Sequence, residues 1–188
     1  EPSGGTLEWT TDLPDGVTGV EKAELESPYD AVKQEGWSID HLAPEAGDVQ
    51  SMTNDVDKDV VHQADAAVGD VSADDYDALI LPGGTVNADT LRQDDDALQF
   101  IRDMAGAGKP IAAICHAPWT LVEAELLPGK TLTSYPSLRT DITNAGGSWV
   151  DEEVQHCTAE GWDLVTSRTP DDLDAFKDKI IQIVGARQ

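Results

Sequence analysis

GKPIAAICHAP, residues 108–118, holds a turn, a strand, a sharp corner and a helix start in one short segment. Gly108, Lys109 and Pro110 make the turn. The apolar run 111–114 is too short for a helix and suits a strand buried on both faces. Cys115 ends the run, His116 follows, and Pro118 stands where the first turn of a helix begins. The segment therefore predicts Cys115 on a strand-to-helix corner at the carboxyl edge of a sheet, the edge at which open α/β sheets bind ligands. A helix N-terminus aimed at the sulfur favours thiolate over thiol, and the thiolate is the nucleophile. This is the logic of a nucleophile elbow with Cys in place of Ser. A free Cys is also among the most buried residue types and packs as a small hydrophobe. The segment alone leaves both roles open.

The flanking sequence alternates strands and helices. Residues 20–36 read as a helix with an apolar face of Val20, Ala23, Leu25, Ala31 and Val32, stopped by Gly36, with a kink or restart expected at Pro28. Residues 6–11 (TLEWTT) make a weak strand before it, and DLPDG at 12–16 a turn. SIDHLA (38–43) alternates as a half-buried strand does. An acid-rich stretch, 44–75, holds a small hairpin near 49–52. YDALIL (76–81) is a buried strand that runs into Pro82-Gly83-Gly84, where a glycine pair lets backbone N–H groups approach a ligand. Residues 94–106 form a helix capped by the acids 94–96. After the Cys115 strand come a helix at 116–126, a strand at 131–135 and a short helix at 136–144. A hairpin of 148–154 with 162–167 turns at Glu160-Gly161, and a last helix at 173–184 has Pro170 at its entry. The class is α/β with a mainly parallel sheet, in one domain spanning 1–188.

Composition narrows the partners. Lys and Arg number 12 against 37 Asp and Glu, a net charge of -25, spread along the whole length. Phosphate binding needs a basic face, so nucleic acid and anionic membrane surfaces are excluded as partners. The apolar runs exclude a disordered chain. So acidic a shell is that of a halophile's protein, hydrated and soluble in high salt. Salt screens like charges over ~3 Å at 1 M against ~10 Å at 0.1 M. The expected result is a melting temperature that falls between molar and low salt; a circular-dichroism melt unchanged across that range overturns it. The two cysteines, Cys115 and Cys157, give no disulfide framework and no metal spacing. With no signal peptide or membrane span in view, the expected compartment is the cytoplasm.

Three blocks now converge: LPGG at 81–84, AAICHAP at 112–118, and TSYPSLRTDITNAG at 133–146 with WVDEEV at 149–154. In this order and spacing the chain resembles the ThiJ/PfpI superfamily, and within it the PfpI intracellular-protease-like branch, from about residue 20 to the last helix. The resemblance implies a flavodoxin-like three-layer α/β sandwich and a homodimer or larger homo-oligomer. It makes Cys115 the elbow nucleophile. It makes Glu21, in VEKAEL, the acid against the thiol, protonated and donating to the thiolate. His116 becomes the general base or, equally, a capping or packing residue. Gly83 and Gly84, with the His116 N–H, would form the oxyanion hole. Tyr135 would line the pocket mouth and Trp119 a wall, although core packing is the simpler role for Trp119. The branch also carries an acid supplied across a subunit interface; counting from Gly84, its place falls on Ala88, with Asp89 beside it, so a complete triad is not secured. His156-Cys157 lacks glycines and an elbow and reads as structural, and His41 and His62 have no metal spacing. No cofactor is implied.

Three functions share this thiol. One is a peptidase-type hydrolase in which Cys115 attacks a peptide carbonyl. A second is glutathione-independent glyoxalase or deglycase chemistry on small aldehydes such as methylglyoxal. A third is a stress sensor, through reversible oxidation of Cys115. The branch motifs favour the peptidase, while a small pocket over one elbow favours aldehydes as the real turnover.

Overall fold

The structure, a computed structural model, describes residues 5–9, by their backbone pairing, and 20–187. In chain order the elements are β1 (Gly5–Trp9), β2 (Val20–Glu21), α1 (Lys22–Gln34), β3 (Ser38–Ala43), β4 (Gly47–Thr53), β5 (Asp57–Ala64), β6 (Ala66–Ala67), β7 (Ala78–Leu81), α2 (Thr85–Leu91), α3 (Asp95–Gly106), β8 (Ile111–Ile114), α4 (Pro118–Glu123), β9 (Thr131–Leu132), α5 (Arg139–Asn144), β10 (Ser148–Trp149), β11 (Gln155–Cys157), β12 (Leu164–Ser167) and α6 (Leu173–Gly185). The main sheet runs β11-β12-β8-β7-β1-β3-β6, and every neighbouring pair is parallel except β11 with β12.

The short apolar runs are strands buried on both faces, and their alternation builds two cores. Leu79 and Leu81 of β7, with Ile111 and Ala113 of β8, pack with Leu91, Ile101, Met104 and Leu121 from α2, α3 and α4. Ala78 and Ile80, with Ala112 and Ile114, pack on the opposite face with Val32 of α1 and Phe176, Ile180 and Val184 of α6. Helices thus cover both faces of a mainly parallel sheet, which is the three-layer α/β arrangement expected. α3 begins as its acids require: the Asp94 side chain accepts from the Ala97 N–H at 2.7 Å.

Several local expectations are corrected. α1 runs unbroken through Pro28, which is buried, so packing holds the helix across the missing N–H. The hairpin near 49–52 is larger: β4 and β5 pair antiparallel from Gly47↔Ala64 to Thr53↔Asp57, and β2 pairs parallel with β4 to make a second, three-stranded sheet. Its tip is Asn54 and Asp55, both in the left-handed region (φ 54° and 62°), which Asn and Asp tolerate. The antiparallel partner of β12 is β11, not residues 148–154. The acids Asp151, Glu152 and Glu153 keep that stretch exposed, and its first two residues instead pair parallel with β9. The weak first strand is β1; Thr10, Thr11 and the turn at 12–16 lie outside the described residues. Among the described residues no helix is long and apolar enough to cross a membrane.

Candidate active site

Cys115 follows β8 at the carboxyl edge of the sheet, with φ at 62°, a left-handed value unusual for a residue other than glycine. Three backbone bonds hold it there: its N–H donates to the Ser167 carbonyl (3.1 Å), its carbonyl accepts from Tyr135 N–H (2.9 Å), and Ala117 N–H donates to the Ile114 carbonyl (3.0 Å). Such a conformation costs of order 1–3 kcal/mol and persists only where its surroundings impose it. The elbow is thus a property of the sheet edge and not of Cys115 itself. The sulfur is buried, with 5% of the residue exposed.

Burial, and next the Glu24 carboxylate, push the Cys115 thiol up; the N–H groups of Gly84 and His116 pull it down. Gly84, at φ 94°, turns its N–H inward just ahead of α2. The acid against the thiol is therefore Glu24, one turn on from the Glu21 expected. Glu24 is fully buried, its Oε2 accepts from Gly83 N–H at 2.8 Å, and its carboxyl group and Cys115 crowd the same face of Gly83. Burial raises it from the ordinary 4.5 up to about 8, against the lowering effect of the Gly83 N–H. Two acids that share one buried site cannot both ionise cheaply. At neutral pH Glu24 holds the proton, which relieves its repulsion of a thiolate. Glu21 sits in β2 before α1 begins, and its Oε2 accepts from Asp55 N–H (3.1 Å) at the hairpin tip. By sequence spacing both glutamates fall on one helical stripe with Leu25, Pro28 and Val32, but pairing of β2 with β4 holds Glu21 in a strand, against the hairpin tip.

His116 is buried beside the sulfur, its Nδ1 3.1 Å from Sγ. Burial lowers its pKa and the Asp55 carboxylate opposes this, so the ring is neutral at physiological pH. Tyr135, 39% exposed, stacks on the imidazole (centroids 4.5 Å, 24° between planes), and Trp119 meets its edge (5.2 Å, 63°). Trp119 is half-buried, with Nε1 donating to Asp141 and the Arg92 guanidinium over its ring. Tyr135 and Trp119 thus come together around His116.

Ala88 is buried in α2, and Asp89 is exposed beside Arg92 and Gln93, away from His116. The carboxylate that does reach towards His116 is Asp55. Its Oδ1 accepts from Thr85 N–H (3.2 Å) and its Oδ2 from the Thr85 hydroxyl (3.1 Å), and Thr85 Oγ1 lies 3.5 Å from His116 Nε2. Asn87, fully buried, ties the glycine turn by donating to the Pro82 and Gly83 carbonyls (3.2 and 3.1 Å). Sequence reading passed over Glu24, Asp55, Thr85 and Asn87. The last two follow LPGG at once, so their positions carried a signal; Asp55 had only the Asn-Asp turn to mark it. His156 pairs with Asp163 at 2.8 Å on β11, away from the elbow, and His41 stacks edge-on with His62 (centroids 6.4 Å). No group of three or more His, Cys, Asp or Glu among the described residues is arranged to hold a metal.

Gly83 is the tightest point. A Cβ there would overlap the Glu24 carboxylate and stand 2.7 Å from Cys115 Cβ and 2.8 Å from the Ile114 carbonyl oxygen. Two of these neighbours cannot swing away. Gly83→Ala is expected to destabilise by on the order of 1–3 kcal/mol and to slow alkylation of Cys115. A melt and an iodoacetamide rate like those of the wild type would refute it.

The chain is similar to known proteins over most of its length. The model of the DJ-1/PfpI family matches residues 16–183. "Putative cysteine protease YraA" of Bacillus subtilis is 39% identical over 164 residues, covering 87% of this chain and 92% of its own. "Protein/nucleic acid deglycase 2" of Escherichia coli is 35% identical over 167 residues, covering 88% and 92%. The crystal structure of Drosophila melanogaster DJ-1beta superposes with a TM-score of 0.82 at 27% identity, over 97% of this chain and 91% of that one.

Proposed function

The chain belongs to the DJ-1/PfpI family, and from that premise we propose that it is a Cys115-dependent enzyme acting on α-oxoaldehydes of the methylglyoxal type and on their early adducts with proteins. The observation that carries this reading is the buried Cys115 thiol with the fully buried Glu24 carboxyl beside it at the glycine turn, where burial favours the protonated acid. The Cys115 thiol gives its proton to His116, and the sulfur attacks the aldehyde carbon. A C–S bond forms, and the carbonyl oxygen takes the Glu24 proton to give a hemithioacetal, which leaves Glu24 as the carboxylate. The proton on that carbon then leaves and returns at the neighbouring carbon, through Glu24 as acid and base. The hemithioacetal becomes a lactoyl thioester with no net oxidation. Water cleaves the thioester, releasing lactate and the thiol. The N–H groups of Gly84 and His116 stabilise the oxyanion of the addition step.

The name of the Escherichia coli relative supports deglycase activity. That of YraA supports the second reading, a peptidase, as does a histidine beside the thiol. Peptide hydrolysis needs an acid that orients that histidine; Ala88 and Asp89 bring none to His116 of the same chain, and Asp55 reaches it only through the Thr85 hydroxyl. Lactate formation from methylglyoxal, with no glutathione present and peptide substrates assayed in parallel, tests the proposal. Stoichiometric lactate is the expected result. Peptide cleavage without lactate overturns it in favour of the peptidase.

A further inference from the structure

We propose that Asp55 and Thr85 form a relay that holds His116 in the tautomer whose bare Nδ1 accepts the proton of the Cys115 thiol. The inference rests on the reading of Cys115 as the reactive group. Its basis is a count of protons along the chain of contacts. A carboxylate only accepts, so both Thr85 donors, the backbone N–H and the hydroxyl, are committed to Asp55 (3.2 and 3.1 Å). A hydroxyl carries one proton. With that proton on Asp55, Thr85 Oγ1 offers His116 Nε2 only a lone pair, across 3.5 Å. Nε2 must then carry the hydrogen. A neutral imidazole has one N–H, so Nδ1 is left bare, and Nδ1 is the atom 3.1 Å from Cys115 Sγ. Once Nδ1 takes the thiol proton, the imidazolium lies one hydroxyl away from a carboxylate, the role of the third member of a catalytic triad.

The placement of Asp55 is over-determined. It sits at the hairpin tip in a left-handed conformation, φ 62°. Its N–H is tied to Glu21 Oε2 at 3.1 Å, and β2 fixes Glu21 to β4 by the pair Glu21↔Met52. A residue held from both sides, with its charge aimed at the site, is what a positioning role requires. The relay also gives the second sheet a purpose: it delivers Asp55 to the first residue of α2. Asp55, Thr85 and Glu21 are positioning residues that act through His116.

Two measurements test the relay without any substrate. The ¹⁵N shifts of His116 in the wild-type protein are expected to report the Nε2–H tautomer; the Nδ1–H form overturns the proposal. The alkylation rate of Cys115 by iodoacetamide, followed on its own peptide by mass spectrometry, is expected to fall about 10–100-fold in Thr85→Val and in Asp55→Asn, the range of a lost outer-shell partner. Thr85→Ser restores the hydroxyl and should recover most of the rate. The double variant should be no slower than the slower single one, because both break one chain. A wild-type alkylation rate in Thr85→Val, or multiplying losses in the double variant, overturns it. Lactate formation does not enter: a wild type that makes no lactate refutes the proposed activity and leaves the relay result standing.

Discussion

Cys115→Ser is expected to lower lactate formation from methylglyoxal by about 10³-fold or more while leaving the fold in place, as loss of a covalent nucleophile does. Serine has the same shape up to the γ atom, so it can occupy the left-handed elbow, whose three backbone bonds do not involve the side chain. The change in stability should stay within about 1 kcal/mol. What is lost is the anion. The Gly84 and His116 N–H groups, which pull the thiol down, cannot ionise a hydroxyl, which is a far weaker acid than a thiol from the outset. The shorter bond to oxygen also withdraws the γ atom from His116 Nδ1. Lactate assay and thermal melt on one preparation check both halves. A variant that keeps a tenth of the activity would remove Cys115 from the nucleophile's role.

Glu24→Gln should move activity and alkaline stability in opposite directions. The folded-state pKa of Glu24 is raised to about 8 from the ordinary 4.5, chiefly by burial. Between those values the folded protein keeps a proton that the unfolded chain has released. Stability therefore falls as pH rises through that window, and by pH 9 the folded state carries a buried carboxylate beside Cys115. Glutamine keeps the shape and can accept from Gly83 N–H, but does not titrate. At pH 9 the variant should be more stable than the wild type by a few kcal/mol, since each tenfold change in proton affinity is worth about 1.36 kcal/mol. For a chain of this size that is a rise in melting temperature of roughly 5–10 °C, at about 2–4 °C per kcal/mol. At pH 5 the two should melt together. Turnover should drop by about 10²-fold or more, because the proton transfer between the two carbons loses its acid and base. Parallel pH–stability curves for the two proteins would exclude Glu24 as the buried titrating group.

The elements fixed by local signals were legible in the chain. The β7 and β8 runs are apolar at every position, which suits a strand covered on both faces, and their alternate residues sort into the two cores. The Asp94 cap was equally plain, because a side-chain cap needs no distant partner, and the short apolar run before Pro118 marked the corner at Cys115 even though distant residues hold it. Tyr135 and Trp119 were named only through the family resemblance, and the tertiary structure sets their rings against His116.

What the sequence determined by itself, then, was the class of fold and the place of the elbow and its thiol, since each leaves a mark within a few residues of chain. Only the tertiary structure decided which acid serves the thiol. Glu21 and Glu24 share one helical stripe, and the choice between them turns on where α1 starts, which the pairing of β2 with β4 imposes. It also decided the approach of Asp55 to Thr85 across thirty residues of chain. That contact exists because a hairpin of acid-rich strands docks onto the edge of the site, and a long-range pairing of this kind leaves no periodicity in the sequence from which it could be read.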